Sequence, residues 1–262
     1  MRAVELEDAP DEAAERHEWK RRAIAVPAAL LLALAFHSWS TGHFMQRTAL
    51  TMPLHELGHA VTGWLSGFAC LPTLWKTRIP EARGVVMPVL VGGLAIALIA
   101  LGGWTRRIGV GVAGGVLGAL ALYGTTRSVD TAQVAITFGG DGGAMVLGTL
   151  LMCTFFVGPE SRLRAGQLRY GLLAIGAAAF VDTFSLWSAA RTDPDVIPFG
   201  EIEGVGLSDP SKLQDVYGWT ERAIVHRYVT LGTLCLVALV AVWAWSVYAA
   251  RRRARDEASW NP

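Results

Sequence analysis

The chain has 262 residues, 52% of them hydrophobic and only 17% charged, with a formal net charge of +1. Ordinary globular chains carry about 25% charged residues, and the charges present here crowd the two ends, so the composition argues against a soluble domain. The near-zero net charge also gives no electrostatic footprint for nucleic acid, and no nucleic-acid partner is expected.

The first 22 residues hold acidic and basic residues together and read as a charged tail, 1–22, rather than as a secretory signal. A first apolar run covers Ala23 to Trp39 and a second about Ala49 to Ala69. Between them, His37, Ser38, Ser40, Thr41, Gly42 and His43 suit an interfacial or re-entrant piece. Loop 70–84 carries Pro72, Pro80 and several cations. Runs follow at Val85 to Trp104 and Ile108 to Tyr123, separated by "TRR", and at about Thr131 to Val157, which "GGDGG" (139–143) is expected to interrupt. Two more lie at Tyr170 to Ala190 and Val225 to Ala250. Each long run approaches the roughly 20 residues that cross a bilayer. The expected fold is all-α, a polytopic transmembrane helix bundle of about six or seven spans. Residues 23–250 make one membrane domain, and 251–262 a basic C-terminal tail.

Segment 191–224, rich in Asp and Glu, is the one sizeable extramembrane loop, read as solvated and capped at Ser208 or Asp209 before a short helix. Placing "TRR", "RLRAGQLR" and "RRRAR" in the cytoplasm puts this loop outside. With seven spans the same choice puts "KRR" (20–22) outside, so one span within 23–50 is expected to be miscounted. Trp39, Trp64, Trp75, Trp104, Trp187 and Trp219 fall near span ends and suit an interfacial aromatic belt. Three cysteines, Cys70, Cys153 and Cys235, have no disulfide or zinc-finger spacing.

The chemistry concentrates in "TMPLHELGHAVTGWL", residues 51–65. On a helix, His55 and His59 share a face, so both can reach one metal ion. Glu56 stands beside the first histidine, where its carboxylate can take a proton from a water activated by that ion. Ionisable groups at bilayer depth are costly unless paired, and no structural need calls for these three together.

A catalytic zinc site takes a third protein ligand and keeps one position open. The next histidine, His226, is remote. Of the intramembrane acids, Asp141 lies in "FGGDGGAMVLG", where glycines could unwind the backbone toward a metal. Asp182, in "AFVDTFSLW", stands in a continuous helical stretch. Asp141 is the preferred third ligand and Asp182 remains the alternative.

A membrane-embedded HELGH followed some eighty residues later by an Asp-Gly in a glycine-rich segment resembles the site-2 protease family of intramembrane zinc metalloproteases. The resemblance covers about residues 49–157. "FGG" replaces the Asn-Pro that often precedes the family's Asp-Gly, and no PDZ-like insertion is visible. The resemblance implies one zinc ion per chain held by His55, His59 and Asp141, with Glu56 as general acid/base. It also implies a multi-pass enzyme of the cell (inner) membrane that hydrolyses membrane-protein substrates within or near the bilayer. Two rival readings use the same residues. One is a non-catalytic membrane protein retaining the fold as a binding module. The other is a transporter with a mid-membrane metal or proton site, which would show paired broken helices in related halves.

Overall fold

The structure, a computed structural model, describes residues 17–158, 161–165, 167–202 and 206–260. Most of the expected N-terminal tail (1–16), Glu203 of the acidic loop and the last two residues lie outside the described residues. The described chain is an all-α helical bundle with two very short antiparallel hairpins.

Helix α1 (Glu18–His37) begins inside the expected tail, where Glu18 is buried against Arg164 and Arg169. Arg169 Nη1 and Nη2 donate to its two carboxylate oxygens at 2.7 and 3.3 Å, and Arg22 Nε donates at 3.1 Å. After α1 the chain turns. The short helix α2 (Ser40–Met45) leads through a widened π-type turn, Gln46–Thr51, into α3 (Met52–Leu65). The widening has a local cause: Pro53 has no N–H for the carbonyl four residues back, and its ring clashes there. Helix α1 and the stretch Ser40–Leu65 are bent by 111° relative to one another.

The β1–β2 hairpin (Leu71–Pro72 with Thr77–Arg78) follows. Helices α4 (Val86–Trp104) and α5 (Ile108–Thr126) then pair with one another, their glycines Gly102, Gly111 and Gly114 allowing backbone contact. Both are otherwise apolar and outward-facing, as lipid-facing helices are. Helix α6 (Val129–Cys153), the four-residue α7 (Arg162–Ala165) and α8 (Leu168–Ala189) come next. The β3–β4 hairpin (Glu201–Ile202 with Gly206–Leu207), the single turn α9 (Asp209–Ser211) and α10 (Glu221–Trp260) complete the chain. Helix α10 runs through the expected C-terminal tail, where no Gly or Pro stops it before residue 260.

Among the described residues, five helices are long and apolar enough to cross a membrane: α4, α5, α6, α8 and α10. The bent pair makes a sixth when counted as one crossing. Counted that way, the first two apolar runs form one bent unit. The core lies where α6 and α8 pack on α1, α3 and α10, around Met145, Phe180, Trp187 and Tyr228. Trp187, expected in an interfacial belt, is fully buried there, whereas Trp39, Trp75 and Trp104 are exposed.

Two polar clusters close the bundle's ends. Arg22 Nη1 donates to Ser246 Oγ at 2.8 Å, so the Glu18 cluster also joins α1 to α10. At the opposite end, Arg83 donates to the carbonyls of Ser66, Gly124, Arg127 and Ser128 at 2.6 to 3.3 Å. A cation there satisfies carbonyls left over where α3 and α5 finish.

Candidate metal centre

His55 and His59 lie one turn apart on α3, on the face that packs against α6. Their room is made by glycine. A Cβ at Gly140 would stand 2.5 Å from His55 Cε1 and 2.6 Å from His59 Nε2. A side chain on Gly58 or Gly143 would collide with the opposing helix backbone. The "GGDGG" segment thus serves close helix packing. It does not interrupt α6, which is continuous through 139–143, because its residues keep their helical hydrogen bonds while the missing side chains admit α3.

The hydrogen bonds of each imidazole set its tautomer. His59 Nδ1 lies 2.6 Å from the Ile136 carbonyl, which can only accept, so Nδ1 carries the proton. His55 Nδ1 lies 2.9 Å from Asp141 Oδ1, and an ionised carboxylate likewise only accepts. In the neutral rings both Nε2 atoms are then bare lone pairs, 3.1 Å apart. Two facing lone pairs repel unless a proton or a metal lies between them.

Asp209 supplies the third group. Its Oδ2 is 3.2 Å from His55 Nε2 and 2.9 Å from His59 Nε2. These three side chains bring their ligand atoms within 4.8 Å of one another. Neighbouring ligands of a tetrahedral zinc ion lie about 3.3 Å apart, given zinc bonds of about 2.0–2.1 Å. The set of two imidazole nitrogens and one carboxylate oxygen, arranged this way, fits zinc.

Asp209 was expected in a solvated loop, and the structure places it inside the site instead. The loop is drawn inward by fully buried Leu213 and by Ile197. Ser208 caps α9, its Oγ accepting from Ser211 N at 3.4 Å, which holds Asp209 at the first helical position. Lys212 Nζ sits 3.7 Å from its outer oxygen.

Asp141 does not join the three converging groups. Its Oδ1 accepts from His55 Nδ1, on the side of the ring away from Asp209, and Trp187 Nε1 donates to its Oδ2 at 2.9 Å. Both oxygens are engaged, so the geometry gives Asp141 the role of orienting His55. Asp182 is also outside this group, with Arg47 Nη1 donating to its Oδ2 at 3.2 Å. Glu56 follows His55 and is 6% exposed. Its backbone carbonyl accepts from Thr77 Oγ1 at 2.8 Å, tying the β1–β2 hairpin to α3.

A third ligand was expected among the intramembrane acids, whereas the acid that meets both histidines, Asp209, lies in the segment read as an extramembrane loop. The available signal was faint: a Ser-Asp-Pro helix start amid Leu207, Leu213 and Trp219. No family model, curated protein or solved structure matches the chain.

Proposed function

We propose that this chain is a zinc-dependent endopeptidase of the membrane that cleaves transmembrane or membrane-proximal protein segments. His55, His59 and Asp209 are its metal ligands and Glu56 is its general base. The observation carrying this reading is the meeting of His55 Nε2, His59 Nε2 and Asp209 Oδ2 at one point, with a buried glutamate next in sequence to His55. Three protein ligands with a position left for water is the pattern of catalytic rather than structural zinc. A purely structural metal would need no neighbouring Glu56.

Bound there, zinc supplies Lewis acidity to a peptide carbonyl and acidifies water. The chain's own groups do the rest. Glu56 accepts the proton of the attacking water and returns it to the departing amide nitrogen, as general base and then general acid. Asp141 keeps the His55 ring in the tautomer that presents Nε2. A helical substrate unwinds before cleavage, since its carbonyls are otherwise hydrogen-bonded and shielded.

The same reading places the chain as a multi-pass protein of the cell membrane. With α1 and Ser40–Leu65 as one crossing there are six. The cations at 20–22, 105–107, 162–169 and 251–255 then all fall on the cytoplasmic side. The contacts of Glu18 with Arg169 and of Arg22 with Ser246 agree with this.

Glu56→Gln tests the proposal directly. In purified, zinc-loaded protein it should keep the metal and lower cleavage of a reporter transmembrane substrate about 10²–10⁴-fold. Unchanged turnover would remove Glu56 from the chemistry.

A further inference from the structure

A second His–His–Asp cluster stands at the bend between α1 and α2. His37 closes α1, His43 lies on α2 and Asp182 on α8. Their ligand-capable atoms also fall within 4.8 Å of one another. His43 Nε2 is 2.9 Å and His37 Nδ1 3.4 Å from the same oxygen, Asp182 Oδ1.

We infer that His37, His43 and Asp182 form a second zinc-binding site, one that clamps the 111° bend to α8. The donors are two imidazoles and a carboxylate, a set suited to zinc and its neighbours rather than to magnesium or calcium. The distances from Asp182 Oδ1 bracket the roughly 3.3 Å between ligands of a tetrahedral zinc ion. His37 Nδ1 is a buried atom with no hydrogen-bond partner, which is costly for a polar group and is relieved when its lone pair takes a cation.

Arg47 does not occupy this position. It holds the opposite carboxylate oxygen, Oδ2, at 3.2 Å, the kind of outer hydrogen bond that orients a ligating carboxylate. His43 keeps nearly half its side chain exposed, at 46%, leaving an approach for the ion and a fourth position for water. The three ligands come from three separate elements, so an ion there fixes the angle at which α2 and α3 leave α1. The site stands or falls independently of whether His55 and His59 hold zinc.

Zinc counting on the purified full chain, equilibrated with excess zinc and desalted, decides it. About two ions per chain are expected for the unmodified protein, falling to about one in His37→Gln/His43→Gln and to about one in His55→Gln/His59→Gln. Retention of one ion in the second variant, and its loss when both pairs are replaced, supports the clamp site even if the first site is empty. A full count in His37→Gln/His43→Gln together with a zinc-free His55→Gln/His59→Gln overturns it. If the bend variant fails to fold, cobalt(II) titration of the unmodified chain and of His55→Gln/His59→Gln decides instead. A d–d absorption band that saturates near one equivalent in the latter supports the site, and no band overturns it.

Discussion

Asp141 and Asp209 grip opposite sides of one imidazole: Asp141 Oδ1 lies 2.9 Å from His55 Nδ1, and Asp209 Oδ2 lies 3.2 Å from His55 Nε2. One carboxylate orients the ring while the other completes the group of three side chains that could hold a metal ion. Such carboxylate–imidazole–metal alignments raise ligand basicity and fix the tautomer. Arg47, 3.9 Å from Asp141 Oδ1 and 3.2 Å from Asp182 Oδ2, ties this alignment to the cluster at the bend.

The two carboxylates should therefore respond differently to substitution. Asp209→Ala removes a proposed ligand and should abolish stable zinc retention. Asp141→Asn should weaken zinc by about 10–100-fold while leaving it bound in excess metal. Chelator competition on both variants measures the order. Tighter binding in Asp209→Ala than in Asp141→Asn would reverse the assignment.

Gly140→Ala probes the space itself. The added methyl would meet both imidazoles and push at least one off the shared point, so zinc content and cleavage should fall together. Gly115→Ala, at a position on α5 where a Cβ meets nothing within 4 Å, should change neither.

The Glu18 cluster should govern stability without touching chemistry. Glu18→Gln leaves buried Arg169 facing Arg22 and Arg164 without their shared anion. Breaking a buried ion pair from one side costs about 3–5 kcal/mol, so thermal unfolding in detergent should move down markedly. Replacing Glu18 and Arg169 together by Leu and Met should recover part of the loss. A negligible loss in Glu18→Gln, or a double-variant loss equal to the sum of the two single losses, would show that the pair contributes little.

Cys70 offers a pH readout outside the spans. Burial pushes its thiol up to about 11, from an ordinary 9.0. A raised pKa favours the protonated form, so the associated stability is fully present below pH 9 and fades as pH rises through about 11. Alkylation of Cys70, followed by mass spectrometry, should be slow at pH 8 in the folded protein and fast after denaturation, and should accelerate between pH 9 and 11. Rapid labelling of folded protein at pH 8 would contradict the burial.

The glycines and the span count divide what local pattern can and cannot tell. Long apolar runs name their own helices, because a segment with no polar alternative can only satisfy its backbone internally. "GGDGG", however, reads equally as a break or as a packing face. Only the approach of α3 through Gly58 decides for packing. The bend near Ser38 was legible as a polar interruption, but its 111° angle depends on what α2 and α3 pack against.

The sequence by itself determined the all-helical membrane character and the pairing of His55, Glu56 and His59, since a four-residue spacing on one helix is a local geometric fact. Only the tertiary structure decided which acid meets those histidines. Asp209 lies 150 residues beyond His59, in a loop whose polar composition gives no sign that Leu213 and Ile197 anchor it in the bundle. Asp141 reaches His55 as well, but at the other ring nitrogen. Which nitrogen a carboxylate meets depends on how α6 and the loop are oriented around α3, and that orientation is set by helix packing rather than by residue type or spacing.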